Sequence, residues 1–185
     1  SAKGVVYRYR DSNTKRLRLL SHLLYEPGEV LYTCLPLFHA NALLLTTVMA
    51  LDMGASIGLG RRFSASRFWQ EMSELGGTSF NALGAMIPIL LKQPAGEFDR
   101  AHRVRLVVSA ACPTEVWRPF EERFGLRLVE AYGAVDGGGF ITMNLGAALL
   151  TVAVLMGFKV SFIVMFPLPL VGAQMGIWSM NSVIL

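Results

Sequence analysis

From Val30 to Glu130 the chain alternates short runs of strand-forming residues with helical runs, and this alternation constrains the fold more than any other feature. Strands separated by helices of this length imply a mostly parallel sheet, because a parallel neighbour needs a long crossover whereas an antiparallel one can be reached by a tight turn. Val30-Leu31-Tyr32-Thr33-Cys34-Leu35 is rich in strand formers and stops at Pro36. A helix is expected over Asn41 to Met53, with Gly54 placed to end it. Ala55 to Leu59 reads as the next strand. Ser64 can cap a helix whose apolar Phe68, Trp69, Met72 and Leu75 share one face, with Gly76-Gly77 as its stop. Thr78 to Ala82 returns to strand, and Ala85 to Lys92 is a short helix that tolerates Pro88 near its first turn. Val104 to Ser109 is a buried strand, Pro113 opens a helix through Phe124 that Gly125 ends, and Leu126 to Glu130 is a further strand. The fold class is therefore α/β, a mostly parallel sheet flanked by helices, with no internal repeat or low-complexity segment.

Composition divides the chain in two. Charged residues make up 16% of the 185 residues, against about 25% in an ordinary soluble domain. Of the 30 charged residues, 29 fall within 1–136 and only Lys159 lies beyond. The basic excess is just as local: Lys3 to Arg18 holds six basic residues and one acid, Asp11. With 53% hydrophobic residues, 18 glycines without period and two cysteines, the composition excludes disorder, a collagen-like repeat and a disulfide scaffold. Cys34 and Cys112 have no zinc or redox spacing and read as free thiols in a reducing compartment, with the cytosol as the default location. The start, Ser1-Ala2-Lys3-Gly4, lacks the apolar core of a signal peptide and an initiator Met, so the chain reads as the middle of something longer.

In parallel sheets ligands collect beyond the carboxyl ends of the strands, where loops and helix starts turn backbone N–H groups outward. Three loops qualify: Pro36-Leu37-Phe38-His39-Ala40, Ser109-Ala110-Ala111-Cys112-Pro113, and Tyr132-Gly133-Ala134-Val135-Asp136 with the three glycines after it. Taken singly, each has a plain structural reading. His39 can be a half-buried structural histidine, Ser109-Ala110-Ala111 can be small residues for tight strand-to-helix packing, and Asp136 can be a turn residue before flexible glycines.

Their order and spacing resemble the adenylate-forming superfamily of acyl-CoA synthetases, luciferases and peptide-synthetase adenylation domains. Ser1-Ala2-Lys3-Gly4-Val5-Val6 resembles the end of the family's phosphate loop, and Pro36-Leu37-Phe38-His39 its aromatic-His motif. Ser109-Ala110-Ala111-Cys112-Pro113 resembles the adenine-binding segment, and Glu130-Ala131-Tyr132-Gly133-Ala134-Val135-Asp136 the Tyr-Gly-x-Thr-Glu motif. Cys34 to Asn41, Arg62 to Trp69 and Gly137-Gly138-Gly139-Phe140 are most similar to ligases of the crotonobetaine/carnitine type.

The resemblance implies a fragment of the large N-terminal domain of such an enzyme, with ATP, Mg²⁺ and CoA. Under it, Tyr132 stacks on adenine while Ala110 and Ala111 leave the opposite side of the slot open. Gly133 admits substrate to the backbone. Lys3 and Gly4 meet phosphate, Asp136 holds Mg²⁺, and Phe38 and His39 line the entry between nucleotide and acid. Asn81, Ala82 and Gly84 would border the acyl pocket. The implied reaction joins a carboxylate to AMP with loss of pyrophosphate and then passes the acyl group to the CoA thiol. Such chemistry depends on positioning and on cations rather than on a protein nucleophile, so Cys112 is given no such role.

The sequence departs from the family pattern at Val135, where the motif has Thr, and at Asp136, where it has Glu. The ribose-binding Asp, the hinge and the mobile C-terminal domain are not expected within these residues, so a complete cycle is not expected from them alone. The basic stretch of Arg8, Arg10, Lys15, Arg16 and Arg18 is read as a solvated helix face, with no nucleic-acid partner. Residues 1–143 are assigned to a partial nucleotide-binding domain and 144–185 to a divergent apolar tail. For that tail a broken membrane segment around Lys159, a buried sheet and a frameshifted continuation stay open. The alternative function is a membrane-anchored or inactive nucleotide-binding remnant without turnover.

Overall fold

The computed structural model describes residues 11–134 and 139–143, so Lys3, Gly4, Val135, Asp136 and the tail from 144 lie outside the described residues. The elements are α1 (Asp11–Leu24), β1 (Val30–Thr33), a π-helix (Asn41–Val48) running into α2 (Met49–Met53), and β2 (Ser56–Leu59). There follow α3 (Phe68–Glu74), β3 (Ser79–Leu83), α4 (Met86–Leu91), a 3₁₀ turn (Glu97–Asp99), β4 (Leu106–Ala110), α5 (Thr114–Phe124), β5 (Arg127–Ala134) and β6 (Gly139–Met143).

The six strands form one sheet in the order β2-β1-β3-β4-β5-β6, with β1 to β5 parallel and β6 antiparallel to β5. After β1 the chain steps to one side for β2, then returns past β1 to place β3, β4 and β5 on the other side. The β1/β3 boundary is thus a topological switch point, where loops from adjacent strands diverge and leave a crevice at the carboxyl edge.

Two-residue alternation along the strands gives the sheet two covered faces. Tyr32, Phe80, Val107 and Leu128 point toward α3, α4 and α5, and pack with Phe68, Trp69, Met72, Ile87, Phe120 and Phe124. Leu31, Leu106, Val108, Val129 and Ala131 point the other way, against Leu20, Leu24, Leu45, Met49 and Ala50. Trp69 centres the first face, stacked between the Phe124 ring at 4.3 Å and the His102 ring at 4.5 Å. Gly54 and Gly125 end α2 and α5 in the left-handed conformation, as their positions in the sequence require.

The structure corrects four local expectations. The helix over Asn41 to Met53 has its first eight residues π-wound. The buried Asn81 amide from β3 donates to the Asn41 carbonyl at 3.3 Å and to Thr46 Oγ1 at 2.8 Å, inserting an outside group into the helix start. Ser64 makes no side-chain cap; its carbonyl accepts the Arg67 N–H in a turn ahead of α3. Leu75 lies past the end of that helix and is exposed. Tyr132, Gly133 and Ala134, expected in a loop, extend β5, because β6 supplies an antiparallel partner for their backbone groups. The basic segment at the chain start is amphipathic: Leu20 and Leu24 of α1 are buried, while exposed Arg18 donates from Nε to Asp52 at 3.2 Å.

Candidate active site

The carboxyl edge of the sheet gathers the loops singled out by sequence. At the end of β1, the His39 N–H closes a turn on the Pro36 carbonyl at 3.0 Å, and the His39 carbonyl accepts the Leu43 N–H at 2.9 Å as the π-helix begins. The turn holds Phe38 and His39 outward with ring centroids 4.6 Å apart, and Phe38 is 82% exposed.

Behind that loop, Asn81 is only 2% exposed, with its amide committed to Asn41 and Thr46. It ties β3 to the helix that follows His39. Ala82 beside it is fully buried on the opposite face of the strand.

The β3 and β4 ends meet more tightly. The Gly84 N–H donates to the Ala110 carbonyl at 2.6 Å, and a Cβ on Gly84 would stand 1.7 Å from the Ala111 carbonyl oxygen. Only glycine fits there, because the obstruction is backbone. Ala111 itself has φ of 63°, an unusual left-handed conformation for a residue with a side chain.

Glu130 holds this turn from the other side. Its carboxylate accepts the Ala111 N–H and, at 3.2 and 3.3 Å, the Cys112 N–H. Ser109 pairs with Glu130 in the β4/β5 register, which sets the carboxylate beside the turn that starts two residues later. Burial pushes the Glu130 carboxyl above the usual carboxylate range, opposed by the Cys112 and Ala111 amides that favour its ionised form. The nearby Cys112 thiol is pushed up to about 11 by burial and by Glu130, Glu115 and Glu121, so it is a protonated thiol near neutral pH and a poor nucleophile.

Tyr132 follows Glu130 by two residues and therefore leaves β5 on the same face. Its ring is 62% exposed, and the register shift between Tyr132 and Gly133 bends the strand just past it. The arrangement is a small-residue turn on β4 and an exposed flat ring on β5, the next strand. An exposed aromatic ring on the strand next to a turn of small residues suits stacking of a planar heterocycle. Phe38 and His39 reach the same edge from β1, with β3 and β4 between them and β5.

Glu130 stands in the motif that carries Tyr132, but its place in the sequence assigns it no task. The signal was a lone carboxylate in the apolar strand sequence Leu128-Val129-Glu130-Ala131. A groove of about 580 Å³ beside β2 and α3, lined by Arg61, Arg62, Arg67 and Glu71 among others, contains none of the candidate nucleotide- or acid-binding residues. Among the described residues no three His, Cys, Asp or Glu gather as metal ligands, and no helix is long and apolar enough to cross a membrane.

Several known proteins are similar to this chain. The chain is 43% identical over 111 residues to a medium/long-chain fatty-acid–CoA ligase of Mycobacterium tuberculosis, an overlap of 60% of this chain and 19% of that protein. It is 38% identical over 124 residues to long-chain fatty acid transport protein 1 of Homo sapiens, covering 65% of this chain and 19% of that one. A malonyl-CoA ligase solved with methylmalonyl-CoA and AMP superposes with a TM-score of 0.62 at 28% identity, over 71% of this chain and 30% of the other. The chain thus spans about a fifth of the length of the curated relatives it matches. The family match itself runs over residues 1–174, from the segment before α1 into the apolar stretch, and by that match the chain belongs to the AMP-binding enzyme family.

Proposed function

We propose that this chain is the nucleotide-binding part of an ATP-dependent, AMP-forming acid–thiol ligase that activates a fatty acid and transfers the acyl group to CoA. The observation that carries the reading is the Ala110–Ala111 turn, wedged by Gly84 and held by Glu130, one strand from the exposed Tyr132 ring. The fatty-acid assignment draws on the printed names of relatives that cover this region.

In this reading Tyr132 stacks on adenine, and the turn keeps the facing side of the slot free of side-chain bulk. Gly133 admits the nucleotide close to the backbone. Lys3 would meet phosphate oxygens by its point charge and Gly4 by its backbone N–H. Phe38 and His39 stand between nucleotide and acid. Asn81 and Gly84 border the acyl side from beneath, Asn81 through the π-helix it fixes. Mg²⁺ would neutralise developing phosphate charge when bound, and Asp136 offers the hard carboxylate oxygen it prefers. The protein supplies positioning and charge, and no covalent nucleophile is required. Residues 1–143 carry the nucleotide-binding fragment and 144–185 an apolar tail, and the free Cys34 and Cys112 fit a reducing, cytosolic setting.

The test is ATP–pyrophosphate exchange by the full-length protein against carboxylic acids of increasing chain length. Exchange that requires added acid and is fastest with fatty acids is expected. Nucleotide binding without exchange for any acid would overturn the ligase reading in favour of a binding remnant, the outcome that Val135 and Asp136 would then explain.

A further inference from the structure

We propose that Glu130 is a positioning residue for the nucleotide slot: its carboxylate, clamped on the Ala111 and Cys112 amides, fixes where the Ala110–Ala111 turn stands relative to the Tyr132 ring. The proposal rests on the nucleotide-binding reading above and adds a residue to it.

Three observations carry it. The turn is not self-supporting, because Ala111 sits at a φ of 63°, a conformation that an alanine leaves readily unless something holds it. The holding comes from two sides: the Gly84 N–H bonds the Ala110 carbonyl at 2.6 Å from β3, and Glu130 takes the next two amides from β5. Among the described residues the Glu130 oxygens meet backbone N–H groups and no cation, unlike the carboxylates of Glu29, Asp52, Asp99 and Glu122. A partly buried carboxylate left without a cation has its ionised form supported by the two amides it binds.

The strand geometry makes the clamp specific to the slot. Glu130 and Tyr132 lie on one face of β5 at the spacing of alternate residues, and β5 is hydrogen-bonded to β4 through Ser109 and Glu130. One short stretch of backbone therefore supplies the ring and the group that locates the opposing wall. If the clamp is released, Ala111 can relax toward an ordinary φ and swing its carbonyl or methyl into the slot. The acid-binding side, formed by the Phe38–His39 turn beyond β3, is not touched.

The experiment compares the full-length wild-type protein with Glu130→Gln, which keeps one acceptor oxygen, and Glu130→Ala, which keeps none. Equilibrium AMP binding, KM for ATP, KM for the acid, kcat and amide hydrogen exchange at Ala111 and Cys112 are measured on each. Weakening of nucleotide binding and a rise in KM for ATP of about threefold for Gln and tenfold or more for Ala are expected, with KM for the acid unchanged and faster exchange at both amides. A purely structural Glu130 would move both KM values and kcat together and would give no graded order. If Glu130→Ala fails to fold, Glu130→Gln decides: unchanged AMP binding in that variant overturns the proposal. Faster amide exchange with unaltered ATP affinity also overturns it, since the turn would then not wall the slot. Absence of AMP binding by the wild type overturns the nucleotide reading and the proposal with it, whereas loss confined to the variants leaves that reading standing.

Discussion

Two glutamates at opposite ends of the sheet solve the same problem in different ways. Glu29, at the amino end of β1, is buried against the Arg105 guanidinium, which also donates to the Leu24 carbonyl at 2.9 Å and so ties the end of α1 to the strands. Glu130, toward the carboxyl end of β5, meets no cation among the described residues and spends its oxygens on the amides of one turn. At the amino end the carboxylate is neutralised by a cation. At the carboxyl end a single carboxylate holds backbone in place from behind, and the outward side of the turn and the Tyr132 ring stay open. The difference separates a region built for stability from one built for presentation.

The sharpest way to break the carboxyl end is Gly84→Ala. Its Cβ would meet the Ala111 carbonyl carbon at 2.3 Å as well as its oxygen, and backbone cannot swing aside as a side chain can. A loss of about 3 kcal/mol in stability and of measurable nucleotide binding is expected from thermal unfolding and titration. Gly96→Ala, with nothing within 4 Å, serves as the control and should change neither.

Arg105→Ala attacks the other end. It leaves the buried Glu29 carboxylate without its cation, and since Arg105 is partly exposed a cost of about 2 kcal/mol is expected, below the range for fully buried pairs. Chemical denaturation should register that loss while AMP affinity of the folded protein stays as in wild type. Weakened AMP binding in this variant would erase the distinction between the two ends.

The smallest effect is a pH dependence. Burial raises the Glu130 carboxyl, so the folded protein holds that proton more tightly than the unfolded chain does. The corresponding contribution to stability is fully present below the ordinary carboxylate range and is lost as pH rises through the raised value. The stability difference between wild type and Glu130→Gln should therefore decline across that window. A difference that rises with pH there would mean that the amide bonds outweigh burial.

The order of strands and helices was readable because each boundary had a local chemical cause: Pro36 after β1, Gly54 after α2, Pro113 before α5 and Gly125 after it. The π-wound start of the Asn41 helix was not, because it depends on an Asn81 amide 40 residues further along. Strand character at Tyr132 and Gly133 was hidden for a similar reason, since it is conferred by pairing with Thr142 and Phe140. At the site, Ala110, Ala111 and Tyr132 stood out by residue type and order. Glu130 did not, because its role exists only once the β4/β5 register sets it beside the turn, and register is a property of two strands rather than of either sequence alone.

Whether Tyr132 forms one wall of a nucleotide slot is decided by titrating AMP into the full-length protein and its Tyr132→Ala variant, with thermal unfolding on both. Because the ring is largely exposed, its removal should leave the melting temperature nearly unchanged while weakening AMP binding about tenfold, the free energy of one good aromatic stack. Equal AMP affinity in wild type and variant would mean that Tyr132 is no wall of the slot.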